Sequence, residues 1–213
     1  MESTESVQDT QSGQIQAVQE YCQRYLSKER YEHLVRVWET MREVKQRHGL
    51  SVSEEKLALA GFGHDIAREL PGEVSALLLQ QSGVELEPWE REFKLFCHTK
   101  AGILILRECF GVDDEEVFQA VAHHTLGNSG LCQLARLLYI ADFLEPKRPF
   151  LTDEERENYM AMEFDRTVYE VCRRTAEFLR DSSKPILPPT LAMIRELEQH
   201  LGIGPGQCFV LPS

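Results

Sequence analysis

The segment SEEKLALAGFGHDIARELPG, residues 53–72, predicts a helix whose apolar face ends in two polar side chains. Acidic residues in the first turn favour a helix that begins near Ser53, and Pro71-Gly72 ends it. Residues three and four positions apart share a helix face, so His64 continues an apolar row of Leu57, Ala60 and Gly61. His64 is therefore expected to point into the packed interior, with Asp65 directly after it in the chain.

Helical sequence continues on both sides of this segment. Helices are predicted for the stretches 15–26, 28–48, 88–110, 113–124, 131–145, 164–179 and 190–200. The stretch 88–110 is interrupted near His98, and Asp113 to Glu116 has the spacing of a capping box that opens the next helix. No stretch has a convincing strand pattern, so the sequence predicts an all-α fold.

The chain divides into three predicted parts. Residues 1–14 are polar, lack periodicity and are predicted to form a disordered lead-in. Residues 15–183 are predicted to form a single helical domain, which is long enough to bury a core without disulfides. Residues 184–213 contain the Pro-rich connector KPILPP, a short helix and a Gly/Pro tail, and the sequence assigns no role to this appendage.

Composition argues against several classes of protein. A net charge of −12 disfavours nucleic-acid binding, which needs a basic face, and no run of residues is long and apolar enough to span a membrane. Six cysteines without a C-x-x-C pair, and a polar N-terminus unlike a signal peptide, predict a cytoplasmic protein with free thiols. Because the chain is acidic, a polyphosphate substrate would need bound cations or a local basic cluster.

Five separate segments turn polar side chains toward the core: four imidazoles and two carboxylates, namely His33, His64, Asp65, His98, His124 and Asp142. A buried carboxylate is costly unless it is paired or bound to metal, and mutual coordination of metal explains the whole set. Imidazole and carboxylate without thiolate suit iron, manganese, cobalt or zinc. Six ligands exceed the four of one zinc ion, so two ions bridged by a carboxylate are predicted. The remaining histidines, His48, His123 and His200, are predicted to lie outside this site.

This pattern resembles a known signature. The order His33, His64-Asp65, Asp142 is similar to the metal-binding signature of the HD superfamily of phosphohydrolases, and the intervening histidines match its dinuclear members. Within that superfamily the chain resembles the YqeK family of symmetrical diadenosine tetraphosphate hydrolases over about residues 20–180. The matching stretches are RYEH (30–33), HDIAR (64–68), CHTKAG (97–102), HHTLGNSGL (123–131) and YIADFLEPKR (139–148).

The resemblance implies an all-α HD domain that cleaves diadenosine tetraphosphate into two ADP, with a hydroxide bridging two metal ions, commonly iron. One ion would be held by His33, His64, Asp65 and Asp142; the second would be held by His98 and His124, with Asp65 bridging the two. Asp65 and Arg68 are the expected catalytic residues, although the family usually has Lys in place of Arg68. The expected substrate contacts are Arg68, Thr125, Gly127, where a missing Cβ permits close approach, and Arg148.

Other HD subclasses fit less well. Cyclic dinucleotide phosphodiesterases have a Glu after the paired histidines and a Gly-Tyr-Pro, whereas Thr125 follows His124 here and that tripeptide is absent. Alarmone hydrolases have Glu-Asp where this chain has Arg68-Glu69. A deoxynucleotidase, a nucleoside triphosphohydrolase and a non-catalytic ligand-binding HD module remain open alternatives, as does a homodimer.

Overall fold

The computed structural model describes the backbone of residues 2–204 and the side chains of residues 12–204. Within that range the chain forms eleven α-helices and no strand, in agreement with the predicted all-α fold. Their bounds are α1 Glu2–Tyr25, α2 Lys28–His48, α3 Glu54–Gly63, α4 Gly72–Gln81, α5 Pro88–Glu92, α6 Cys97–Phe110, α7 Glu115–His123, α8 Gln133–Leu144, α9 Asp153–Met160, α10 Phe164–Asp181 and α11 Pro188–His200. A 3₁₀ turn, Lys94–Phe96, joins α5 to α6. No helix among these is both long and apolar enough to cross a bilayer.

Four helices build the centre of the molecule. The helices α2, α3, α7 and α8 pack on one another, and each supplies fully buried aliphatic side chains such as Leu34, Leu57, Val117 and Leu138. Helices α1 and α6 pack against this group from one side, while α10 packs against α8 and carries α11. The candidate ligands come from the central helices and from α6, so the apolar core fixes the positions of their backbones.

Helix α3 is shorter than the sequence predicts. It ends at Gly63, and residues 64–69 form turns with hydrogen bonds such as Arg68 N–H to the Asp65 carbonyl, 2.9 Å. In a continuing helix the Asp65 N–H would bond to the Gly61 carbonyl. The His64 ring occupies that carbonyl instead, with Nδ1 2.8 Å from the oxygen. The same interaction therefore ends the helix and fixes the ring.

Two further boundaries differ from the prediction. The break before α6 falls at Phe93, not near His98, which lies in the first turn of α6. The cap of α7 is Asp114 rather than Asp113, because its carboxylate accepts hydrogen bonds from the N–H groups of Glu116 and Val117.

Helix α4 was not predicted, since it buries one face yet leaves Val74 and Leu77 exposed and so has no one-sided apolar stripe. Helix α9 was also not predicted, because it is strongly charged.

Helix α1 extends back to Glu2, into residues 1–14, for which the sequence predicts a disordered lead-in. Its C-terminal half is packed through Val18 and Cys22, which are fully buried. Extending a helix from a packed segment costs far less than nucleating one, and residues 2–12 contain neither proline nor glycine to stop it.

Helix α11 is part of the main core and not a separate appendage. Met193, Ile194 and Leu197 are buried in the same apolar cluster as α2, α3, α7 and α8. The Thr190 hydroxyl donates to the Leu126 carbonyl at 2.8 Å, in the loop that follows α7. The Gly/Pro tail that follows this helix lies outside the described residues from residue 205 onward.

Candidate metal centre

The six predicted ligands meet at one place between the central helices. His33 comes from α2, His64 and Asp65 from the end of α3, His98 from α6, His124 from the end of α7 and Asp142 from α8. All are buried except Asp142, whose side chain is 20% exposed. Their donor atoms form three overlapping groups in which every atom lies within 4.8 Å of the others: His33, His64 and Asp65; His64, His124 and Asp142; Asp65, His98 and His124.

Asp65 lies at the centre, with one carboxylate oxygen facing each pair of histidines. Its Oδ1 is 3.3 Å from His98 Nε2 and 3.4 Å from His124 Nε2. Its Oδ2 is 3.8 Å from His64 Nε2 and 3.9 Å from His33 Nε2. Asp142 Oδ1 lies 3.1 Å from His33 Nε2 on the far side. A carboxylate in this position can serve two cations at once.

Three of the histidines are fixed in the same way by their own backbone. The Nδ1 atoms lie 2.8 Å from the Gly61 carbonyl for His64, 2.7 Å from the Leu95 carbonyl for His98 and 2.8 Å from the Val121 carbonyl for His124. A carbonyl only accepts hydrogen bonds, so each Nδ1 carries the proton and each Nε2 presents a lone pair toward the centre. Anchoring of the second ring nitrogen is typical of metal-ligating histidine.

The hydrogen bonding inside the cluster is incomplete, and this is the observation that indicates a metal. Among the described residues, the buried Nε2 atoms of His33, His64 and His98 and the buried Oδ1 of Asp65 find no hydrogen-bond partner. At His64 and His98, whose Nδ1 carries the proton, an imidazole lone pair therefore faces the Asp65 carboxylate. Each such unsatisfied buried group costs about 1–3 kcal/mol, and a cation placed between them would satisfy them together. The residues present therefore fit divalent ions with nitrogen and oxygen ligands.

The protonation states also suit metal binding. Burial lowers the pKa of His64 to about 3, and burial likewise lowers the pKa of His98. Burial opposes ionisation of Asp65, but the neighbouring His64, His124 and His98 outweigh it and hold its pKa well below the usual value. Neutral imidazole and ionised carboxylate are the forms that coordinate metal.

Glu145 supports the cluster from behind and was not singled out from the sequence. This buried carboxylate lies 3.3 Å from His33 Nδ1, and it accepts hydrogen bonds from Arg36 Nε at 2.7 Å and from the Lys147 N–H at 2.8 Å. Burial raises its pKa, but these contacts outweigh burial and bring the pKa down to about 2. The sequence feature that could have identified Glu145 is its position three residues after Asp142, in the stretch YIADFLEPKR.

Two arginines contact the candidate ligands directly. Arg30 Nη1 donates to Asp65 Oδ2 at 2.6 Å, and Arg148 pairs with the Asp142 carboxylate and donates from Nε to the Asp142 carbonyl at 2.7 Å. Arg148 was predicted to lie at the site, whereas Arg30 was not. Its position one turn before His33 on α2 was the available signal.

The other predicted contacts lie in different surroundings. Thr125 lines a cavity beside His124. Arg68 is half-buried on the turn after Asp65. Among residues 12–204, whose side chains the structure describes, it has no ion-pair partner. Gly127 is buried, and the space where its Cβ would be is filled by Met193 of α11. On that side the close neighbour of this glycine is α11, and its contact with a polyphosphate stays a prediction.

Two cavities open beside the cluster and share Arg148. The first, about 410 Å³, is lined by His124, Asp142 and mainly apolar side chains of α8 and α10. The second, about 350 Å³, is polar and includes His33, Glu145 and four cations, Arg30, Arg36, Lys147 and Arg148. The same cavity also has three carboxylates, Glu29, Glu69 and Glu145, so a polyphosphate there would need bound metal ions in addition to these cations.

The remaining histidines lie apart from the cluster. His200 is 62% exposed and pairs with Asp165 at 3.2 Å. His123 points into a separate cavity beside Lys100, and His48 packs near Phe164. None of the three belongs to a group of ligand atoms found in the described part of the chain.

Comparison with known proteins gives a consistent result. The HD domain family model matches residues 30–147, more than half of the chain. The chain is 27% identical over 165 residues to the symmetrical bis(5'-nucleosyl)-tetraphosphatase of Bacillus subtilis, covering 78% of this chain and 87% of that protein. It is 30% identical over 169 residues to the Staphylococcus aureus protein of the same name, covering 78% and 84%.

A solved structure has the same fold. The crystal structure of a Clostridium acetobutylicum protein, described as a predicted HD superfamily hydrolase involved in NAD metabolism, superposes with a TM-score of 0.80 at 26% identity. The match covers 87% of this chain and 97% of the other. With this fold, this ligand cluster and these relatives, the chain belongs to the HD-domain family.

Proposed function

We propose that the protein hydrolyses diadenosine tetraphosphate symmetrically to two ADP with the help of two divalent metal ions. The observation that carries the proposal is the central carboxylate of Asp65, which faces His98 and His124 with one oxygen and His33 and His64 with the other. The relatives named symmetrical bis(5'-nucleosyl)-tetraphosphatases support the choice of substrate.

These distances support two ligand sets. One ion would be held by His33, His64, Asp65 and Asp142, and the second by His98, His124 and the other oxygen of Asp65. When bound, the ions supply Lewis acidity for phosphoryl oxygens and a water of lowered pKa. The donor set suits iron, manganese, cobalt or zinc, and we propose iron as the ion in the cell.

The chain's own cations would orient the tetraphosphate. Arg30, Arg36, Lys147 and Arg148 line the polar cavity next to His33, and Arg148 also lines the apolar one. Arg148 is thus placed to hold phosphate oxygens where the two cavities meet. Arg68 is proposed as a further phosphate contact: it follows Asp65 by three positions, and among the described side chains no carboxylate neutralises it.

The reaction consumes one water. The water oxygen joins a phosphorus that flanks the central bridging oxygen, the bond from that phosphorus to the bridge breaks, and ADP leaves. The water protons pass to solvent or to the ADP oxygens. Hydrogen-bond donors that the fold already holds in place need not reorganise as negative charge develops on the attacked phosphoryl group. This lowers the activation barrier of the hydrolysis.

Product analysis tests this proposal. The metal-loaded protein is incubated with diadenosine tetraphosphate, with Fe²⁺ or Mn²⁺ present or chelated, and an early time point is separated by chromatography. We expect ADP alone as product and no turnover after chelation. AMP with ATP would indicate asymmetrical cleavage, and an intact dinucleotide beside hydrolysed mononucleotides would indicate a nucleotidase. Binding without turnover on any nucleotide would indicate a ligand-binding HD module.

A further inference from the structure

The apolar cavity beside His124 has no role in the reaction described so far. Its walls come from α8 and α10 and from the segment between α8 and α9, and it reaches the cluster through His124, Asp142 and Arg148. At about 410 Å³ it has the size of a small-molecule site. It continues directly from the candidate metal centre, so a molecule held at the metals can extend into it.

Aromatic rings form the outer part of this cavity. Phe143 and Phe150 lie with ring centroids 5.1 Å apart, and Phe178 lines the same space from α10. Phe150 is 49% exposed and Phe178 is 62% exposed. Two exposed phenylalanines at the mouth of a cavity are costly in the free protein and are typical of a surface that binds a ligand.

This cavity has fewer cations than the polar one and a mainly apolar wall, which favours an apolar group over phosphate as its occupant. Arg148 is paired with Asp142. Arg174 donates to Glu155 Oε1 at 3.0 Å and to the Phe150 carbonyl at 2.8 Å. The polar cavity on the other side of Arg148 offers several cations to phosphate, whereas this one offers flat carbon surfaces.

The cavity also has a suitable length. Its α10 wall runs from Val171 through Arg174 and Thr175 to Phe178, and the seven steps between the first and the last residue span roughly 10 Å at 1.5 Å per residue. A nucleotide whose terminal phosphate lies at the cluster would place its base near the far end of that wall, beside Phe150 and Phe178.

From these observations we infer that this cavity binds one nucleobase of the dinucleotide, stacked on Phe150 and Phe178, while the polar cavity takes the phosphates. The inference rests on the proposed function for the identity of the substrate. It makes the site asymmetric although the substrate is symmetrical, so the two halves of one molecule are held by different chemistry.

Calorimetric titration of the full-length, metal-loaded protein with ADP and with pyrophosphate tests this inference. Stacking of a base on an aromatic side chain is worth about 1–3 kcal/mol, so Phe178→Ala and Phe150→Ala should each raise the Kd for ADP about tenfold. The Kd for pyrophosphate, which has no base, should stay within about twofold. Phe178→Trp should restore the affinity for ADP. The KM for diadenosine tetraphosphate should rise in parallel with the Kd for ADP, with a smaller change in kcat.

Tyr25→Ala is the matched control, because Tyr25 is also 62% exposed but does not line the cavity. It should leave both titrations unchanged. Equal weakening of ADP and pyrophosphate in the phenylalanine variants, or no weakening of either, would overturn the inference. If the wild-type protein left the dinucleotide intact while the variants still lost ADP selectively, the proposed function would fail and the base site would stand.

Discussion

The central carboxylate of Asp65 is the residue on which both candidate ion sites depend. Replacing it with alanine removes the oxygen ligands that face all four histidines. We expect Asp65→Ala to abolish turnover and to lower bound metal measured by elemental analysis, while circular dichroism still reports a helical protein. Wild-type activity in this variant would contradict the dinuclear site.

His98 belongs to only one of the ligand groups, the one that it forms with Asp65 and His124. We expect His98→Ala to retain about one metal ion per chain and to lose most activity, because one ion does not supply the paired clamp. His200→Ala, at an exposed position, is the control and should retain two ions. Two ions per chain in the His98 variant would show that this residue is not a ligand.

Variants of Arg68 test whether a cation near the cluster offsets the repulsion between this acidic protein and an anionic polyphosphate. A charge-assisted hydrogen bond to phosphate is worth about 1.5–3 kcal/mol, so Arg68→Ala should reduce kcat/KM roughly 10- to 150-fold. Arg68→Lys keeps the charge and should retain most activity. Since this side chain is partly exposed, rising salt should raise the KM of the wild-type enzyme. An Arg68→Ala enzyme with wild-type kinetics would remove the residue from the site.

At the level of elements, α11 restrains the loop that follows His124. Met193 fills the space beside Gly127, the Thr190 hydroxyl bonds to Leu126, and Glu196 accepts from the Gly130 N–H. This loop carries Thr125, which lines the apolar cavity. The position of the cavity wall therefore depends on a helix near the end of the described chain.

Two glycines of this loop provide a matched pair of variants. Gly127 and Gly130 have φ of +68° and +70°, but a Cβ at Gly127 would meet Met193, whereas a Cβ at Gly130 would have no atom of the described residues within 4 Å. The left-handed backbone alone costs about 1–2 kcal/mol for alanine. We expect Gly130→Ala to lose about that much unfolding free energy in urea, and Gly127→Ala to lose about 1–3 kcal/mol more. Equal losses would show that Met193 moves aside freely.

At the scale of the whole molecule, the buried cluster makes stability depend on pH. His64 has a folded pKa of about 3, below its usual 6.5, so the unfolded chain takes up this proton first and stability is lost as pH falls below 6.5. Asp65, Asp142 and Glu145 also have lowered pKa values and act in the same direction. His33 opposes them: burial lowers its pKa, but the contacts with Asp142 and Glu145 outweigh burial and raise it.

We therefore expect the metal-free protein to lose about 1 kcal/mol of unfolding free energy per pH unit between pH 6 and pH 4. Urea unfolding curves recorded at each pH measure this loss. His64→Asn should have a shallower slope, and the exposed His200→Gln should have the wild-type slope. A stability that is constant over this range would contradict the buried, neutral state of His64.

The sequence alone was sufficient to predict the helical class and to nominate six candidate ligands, four histidines and two aspartates, for one site. It could do so because helix periodicity determines which residues face inward. It could not predict interactions that depend on tertiary packing. Arg30 and Glu145 are ordinary surface-type residues in the sequence, and only the packing of α2 against α3 and α8 brings them to the ligands. The sequence also contains no sign that Gly127 lies against Met193, which belongs to a helix more than sixty residues later in the chain.

The three histidines that hydrogen-bond to their own helix ends have a consequence for sequence divergence. Their anchors are the carbonyls of Gly61, Leu95 and Val121, and every amino acid has a carbonyl. At Leu95, which is 50% exposed, a substitution can alter the side chain without removing the hydrogen bond that orients the imidazole. At the other two positions packing restricts the choice, because Val121 is fully buried and a Cβ at Gly61 would lie 3.0 Å from the Trp38 Cβ. The orientation of the imidazoles is thus determined by the path of the main chain, and evolutionary drift beside His98 need not disturb the ion-binding centre.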